Sequence, residues 1–204
     1  MAIYHFHVTQ ISRGKGQTAV SAAAYRAGER LHDTYYGEEP DYTEKTEVVY
    51  TEIMLTEHAP REYADRETLW NAVEYAEANP KAQLAYFFDF ALPNELTDAE
   101  NRELARGVVA ENFTSGGMIS DMVIHNPGKH PGNVPNPHVH VMVPMRPLNE
   151  RSCRLFMKDR RFVRWRRRES GQKRESGIVI LNPSIEQSRS YFPLFWTFCR
   201  QSKN

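Results

Sequence analysis

The chain has 204 residues, 40% apolar, 11% aromatic and 25% charged, enough to bury a core and outside the collagen-like, coiled-coil and wholly disordered classes. Its formal charge is zero, with 26 Lys+Arg against 26 Asp+Glu, which taken alone argues against a nucleic-acid partner. The total conceals a segregation: residues 1–150 carry 12 basic and 22 acidic side chains, and residues 151–175 carry 11 basic and 3 acidic, so an acidic body precedes a basic segment.

Residues 2–11 alternate with period two, placing Ile3, His5, His7 and Thr9 on one face, and predict a strand. The basic turn SRGKG follows at 12–16. The Ala-rich run 17–31, without interior Pro, predicts a helix. Residues 32–46 are polar, with Gly37 and Pro40, and predict a loop; 47–55 predict a second strand. Leu69, Ala72, Val73 and Ala76 repeat at helical spacing within 64–78, and 83–92 predict a third strand stopped by Pro93. Thr97 and Glu100 form a capping-box pattern that opens a helix running to about Phe113. Strands are expected at 118–125 and 138–145, joined by an irregular loop with four Pro and two Gly. That connection holds no helix, so these two strands are expected to pair antiparallel. The fold class is α+β: one mostly antiparallel sheet of about five strands with helices packed on it.

His138-Val139-His140 is the most specific chemical feature. Residues two apart on a strand share a face, about 6.5 Å apart at the backbone, so both imidazoles can converge on one metal ion. His125 ends the preceding strand, where pairing would bring it to the same edge. Asp121, four residues earlier on the same face, is placed to orient a ligand imidazole; a solvated strand residue is the alternative. His130, in the loop, is a substitute ligand or an exposed side chain. Tyr25 stands among small residues in AAAYRAGERL, either as a core aromatic of an amphipathic helix or as a nucleophile able to form a covalent intermediate. Arg13, Lys15, Arg26 and Arg146 are candidate phosphate contacts. Gly14-Lys15-Gly16 before a helix lacks the full phosphate-loop pattern. No signal peptide is recognised. The two cysteines, Cys153 and Cys199, are too few for a disulfide framework, and a cytoplasmic location is expected.

The segments IYHFHVTQISRGKGQTAVSAAAYRAGERL (3–31), LWNAVEYAEANPKAQLAYFFDFALPNEL (69–96), GMISDMVIH (117–125) and NPHVHVMVPMRPL (136–148) resemble the MobA/MobL plasmid mobilisation relaxases, a branch of the HUH single-strand endonucleases. The resemblance implies a relaxase domain over 1–150 that nicks one strand at a bacterial plasmid's origin of transfer. It implies Tyr25 as the nucleophile, forming a 5′-phosphotyrosine bond, and His125, His138 and His140 as ligands of a divalent ion, Mg²⁺ or Mn²⁺. The implied partners are single-stranded origin DNA, relaxosome accessory proteins and a coupling protein, with no membrane. The Arg-rich segment 151–175, with Arg164, Arg166, Arg167 and Arg168, is expected to hold phosphates, and 176–204 is a tail divergent from the family.

The chain departs from the family at Phe87, where relatives often carry Glu; Asp89, two residues on, is the candidate substitute. Three other readings compete. One is a catalytically degenerate relaxase that only binds origin DNA. Another is a rolling-circle replication initiator, disfavoured because Tyr25 precedes the histidines. The third is a His-x-His small-molecule enzyme, disfavoured by the arginines.

Overall fold

A computed structural model of the chain describes residues 5–127, 135–146 and 148. His130, the segment 151–175 with Arg164, Arg166, Arg167 and Arg168, and the tail 176–204 lie outside the described residues. The strands are β1 (Phe6–Ser12), β2 (Val48–Met54), β3 (Gln83–Ala91), β4 (Ser120–His125) and β5 (His138–Pro144), and the helices are α1 (Ala19–Ala27), α2 (Arg66–Ala76) and α3 (Asp98–Asn112). All four strand pairings are antiparallel, in the order β1-β3-β5-β4-β2. The expected α+β architecture is the observed one. No helix among the described residues is long and apolar enough to cross a membrane.

Helices cover both faces of the sheet. On one face Phe87 and Met142, paired across β3 and β5, enter a core with Ala19, Val20, Ala23 and Ala24 of α1 and Leu69, Trp70 and Val73 of α2. The next pair along, Phe88 and Val141, faces the other way, and Phe88 meets Phe113 at the end of α3 with ring centroids 4.7 Å apart. Val139 and Val141 are fully buried. Strand β5 is central in the sheet, and its alternate histidines lie at the end of the face covered by α1 and α2.

Local chemistry sets the helix ends. The Thr18 side chain accepts from Ser21 N at 2.9 Å, and Asp65 accepts from Thr68 N at 2.8 Å, each satisfying a first-turn amide. The capping box of Thr97 and Glu100 is formed as the sequence predicts. Helix α1 stops at Gly28, well before residue 31, because Gly28 takes φ +65°. That left-handed geometry suits glycine, and a Cβ there would lie 3.1 Å from Val48 Cγ2 and 3.4 Å from Lys45 Cβ.

Two buried charge clusters hold the helices to the sheet. Glu74 of α2 is fully buried; it accepts from Arg13 Nε at 3.0 Å, from Arg13 Nη2 at 2.6 Å, and from the α1 amide Ala19 N at 2.5 Å. Asp121 of β4 accepts from Arg66 Nε and Nη2, both at 2.9 Å, and from Trp70 Nε1 at 2.8 Å; Arg66 also pairs with Glu29 just beyond α1. Breaking one partner of a buried, fully bonded pair leaves a desolvated charge unmatched. Glu74→Ala is therefore expected to destabilise the fold by about 3–5 kcal/mol, read as a fall in the urea midpoint; a change under about 1 kcal/mol would show that the pair contributes little.

Candidate metal centre and tyrosine

Three histidines meet at the end of the β4–β5 ladder. His125 pairs in register with His138, and Val123 with His140, so the three imidazoles share one sheet face. Their ring centroids lie 5.5 Å (His125–His138), 4.5 Å (His125–His140) and 4.7 Å (His138–His140) apart. One ring nitrogen from each lies within 4.8 Å of the others.

Backbone carbonyls fix two of the tautomers. His125 Nε2 lies 2.6 Å from the Arg26 carbonyl oxygen, and His138 Nδ1 lies 2.8 Å from that of Asn136. A carbonyl only accepts, so each of these nitrogens carries the proton, leaving Nδ1 of His125 and Nε2 of His138 with free lone pairs. His140 Nδ1 is buried with no hydrogen-bond partner among the described residues. Such an outer hydrogen bond is how ligand imidazoles are commonly oriented, and three imidazole donors with an unmatched buried nitrogen fit a divalent ion.

Burial sets the charge state. It pushes His125 down to about 4, opposed by the Arg26 carbonyl and assisted by Lys45 and His138. It pushes His140 to about 2, assisted by His125, His138, Arg26 and Lys45. Both rings are neutral at pH 7, the form that ligates metal. Because the unfolded chain binds these protons near the ordinary histidine value of about 6.5, it holds more protons than the native state below that pH. Stability of the metal-stripped protein is therefore complete above about pH 6.5 and is lost as pH falls towards 4 and below. Urea midpoints from pH 7 to 4 should decline more steeply for the parent chain than for His125→Gln/His140→Gln; equal slopes would contradict the assignment.

Helix α1 joins Tyr25 to this cluster. The last carbonyls of a helix lack intrahelical partners; here the Tyr25 oxygen accepts from Lys45 Nζ at 3.0 Å and the Arg26 oxygen takes His125. The Tyr25 side chain is 51% exposed, so it is not a core aromatic. Its ring meets Tyr42 edge-on at 5.2 Å and lies under the Lys45 ammonium at 3.7 Å.

Arg26 turns inward. Its guanidinium lies 3.8 Å over the Phe87 ring, and Phe87 in turn stacks on His140 at 5.4 Å. Nη1 donates to the Ala22 carbonyl at 2.6 Å, while the buried Nε has no partner among the described residues. Burial lowers Arg26 to about 10, against the attraction of Asp121, Tyr25 and Asp89, so it stays cationic at neutral pH.

The other sequence candidates fall elsewhere. Arg13 is not available to a phosphate: its side chain is 3% exposed and committed to Glu74. Asp121 does not orient His125, because Arg66 and Trp70 occupy its carboxylate and the Arg26 carbonyl performs that task. Arg146 Nε donates to Glu77 at 2.6 Å. Lys15 is exposed in the turn before α1. Asp89 sits beside His140 in register, but its carboxylate pairs with His5 at 2.6 Å and with His7 at 3.4 Å. Sequence reading gave Lys45, His5 and His7 no role in the site. The period-two pattern had put both histidines on one strand face, a usable signal, whereas Lys45 stands in a polar loop without periodicity.

Residues 17–190 match the MobA/MobL family model. The chain is 37% identical over 152 residues to a probable mobilization protein MobA of Bifidobacterium longum, covering 74% of this chain and 26% of that protein. It is 38% identical over 161 residues to a conjugal transfer protein TraA of Agrobacterium fabrum, covering 74% of this chain and 14% of that one. The chain thus spans well under half the length of these relatives. A solved structure from work on the molecular basis of vancomycin resistance transfer in Staphylococcus aureus superposes with a TM-score of 0.66 at 34% identity, covering 74% of each chain. Sequence and fold agree, and the chain belongs to the MobA/MobL family.

Proposed function

We propose that this chain is the nicking domain of a plasmid mobilisation relaxase, cutting one strand at an origin of transfer. One observation carries the reading: a half-exposed tyrosine sits on a helix whose next carbonyl holds a histidine of a three-histidine cluster. A nucleophile needs access to the strand, and a phosphoryl-transfer site needs positive charge at a fixed place beside it.

In this mechanism the Tyr25 hydroxyl oxygen attacks the scissile phosphorus. The Tyr25 O–P bond forms as the P–O3′ bond breaks, the phenolic proton passes to solvent, and the 3′ oxygen leaves and takes a proton. One phosphodiester replaces another, so the strand can later be rejoined. His125, His138 and His140 would hold a divalent ion, Mg²⁺ or Mn²⁺, which when bound supplies positive charge to the non-bridging phosphate oxygens. Arg26 supplies a fixed cation beside the cluster, its charge unmatched at Phe87, where an acidic residue would have neutralised it. Lys15 and the arginines at 164 and 166–168 are proposed to hold the flanking backbone, a contribution that should weaken steeply with salt.

The Phe87 contacts also favour a second reading, an origin-binding protein without nicking activity, because no carboxylate supports His140 there. Incubation with single-stranded origin oligonucleotides and Mn²⁺ separates the two. A denaturation-resistant protein–DNA adduct supports the relaxase, and binding without adduct supports the second reading.

A further inference from the structure

Lys45 lies in the loop joining α1 to β2, four residues after Asp41. A loop lysine ordinarily extends into water. This one is withdrawn: its side chain is 15% exposed, although it comes from a segment that is otherwise largely solvated. Three groups hold its ammonium. The Tyr25 carbonyl accepts from Nζ at 3.0 Å, Glu47 lies 3.2 Å away, and the Tyr25 ring centroid lies 3.7 Å away.

The surroundings make this placement specific. Lys45 N donates to the Tyr42 carbonyl at 3.1 Å, and the Tyr42 ring meets Tyr25 at 90°. One short turn thus contacts the Tyr25 ring twice, through the Tyr42 ring and the Lys45 ammonium. The same turn continues to Glu47, whose carbonyl accepts from Asn126 N at 2.8 Å, next to His125. At the other end, the lysine stem packs beside Gly28, where a Cβ would lie 3.4 Å from Lys45 Cβ. The loop therefore spans from the tyrosine to the end of the strand that carries a candidate metal ligand.

A cation on a ring face is attracted by the π electrons of a neutral phenol. It is attracted more strongly when the phenolic oxygen carries negative charge, because that charge spreads into the ring. An interaction that strengthens as charge develops lowers the barrier, whereas one that is uniform does not. Resting on the nicking reading above, we infer that Lys45 is a positioning residue for Tyr25: it fixes the plane of the ring and stabilises the negative charge on it while the tyrosyl–phosphate bond is made or broken. The proton and bond changes are those already given; Lys45 remains an ammonium throughout and touches no reacting atom.

The test is single-turnover adduct formation by the full chain on single-stranded origin oligonucleotide with Mn²⁺. Lys45→Met should slow adduct formation about 30–100-fold, while Lys45→Arg, which keeps the cation, stays within about 5-fold of the parent. Oligonucleotide affinity should change by less than about 5-fold in both. Parent-like rates in Lys45→Met overturn the inference. Equal slowing in Lys45→Met and Lys45→Arg also overturns it, because that pattern marks a side chain held by shape and not by charge. An unsubstituted chain that binds the oligonucleotide yet gives no adduct overturns the nicking reading itself, and this inference with it.

Discussion

Tyr25→Phe is expected to abolish the covalent adduct while leaving the protein folded and bound to its strand. The substitution removes one oxygen from a ring that is half exposed, and no hydrogen bond of the fold is formed by that oxygen among the described residues. The ring's contacts with Tyr42 and Lys45 do not need it, so the stability change should stay within about 0.5 kcal/mol. The chemical effect should be at least about 1,000-fold, since removing a nucleophile removes the covalent step and leaves only the binding and electrostatic parts of catalysis. Affinity for origin oligonucleotide should hold within about 2-fold, because the phosphate contacts are unchanged. An adduct of normal yield in Tyr25→Phe would place the nucleophile elsewhere.

The second large effect is expected at the histidines. His140→Ala deletes a half-buried candidate ligand and leaves two imidazoles, too few for an open three-histidine site. Metal affinity, read by calorimetry with Mn²⁺, should fall by about 100-fold or more, and adduct formation should fall with it. Removing metal from the parent chain with a chelator should reproduce the loss of adduct, and adding Mn²⁺ back should restore it. His125→Ala should go further. It deletes a candidate ligand and also leaves the Arg26 carbonyl without its partner, which should loosen the end of the helix that carries Tyr25. Unchanged Mn²⁺ affinity in His140→Ala would remove the histidine cluster from the account.

These expectations rest on features that differ in how far the residues alone revealed them. The β5 histidines were legible because period two is strict: His138 and His140 had to share a face, and the helix-free connection predicted antiparallel pairing with the strand ending in His125. The five strands and three helices of the described residues were all legible, but by different signals: β1 by period two, α1 by an Ala-rich run without Pro, α2 by helical spacing and α3 by its capping box, with Pro93 and Thr97 marking its approach. The C-terminus of α1 was less legible. An Ala-rich run with GERL beyond it reads as continuing helix, whereas the chain turns at Gly28 through a left-handed cap, with Val48 and Lys45 packed close against it.

The polar residues were harder to read because their partners lie far along the chain. Arg13 in a basic turn looks solvent-facing, but Glu74, 61 residues away, draws it into the interior. Asp121 looks free to orient an imidazole on its own strand, but Arg66 and Trp70 of α2 take both its oxygens. Tyr25 could be separated from a core aromatic only by its exposure or by family resemblance. Phe87 was visible as a departure from the family, and in the fold its ring packs between the half-buried Arg26 and the candidate ligand His140, where Arg26 Nε and His140 Nδ1 have no partners among the described residues.

The basic segment gives the zero net charge its expected meaning. Within an acidic body, Arg26 and Lys45 place two cations beside the histidines and Tyr25, and the arginines that follow residue 150 are proposed to supply the long-range attraction for a strand. The most direct measurement is peptide mapping by mass spectrometry of the adduct formed between the full chain and a single-stranded origin oligonucleotide. The nucleotide remnant is expected on Tyr25, joined through a 5′ phosphate. A remnant on any other residue, or a free 5′ phosphate on the cleaved strand with no protein attached, would contradict it.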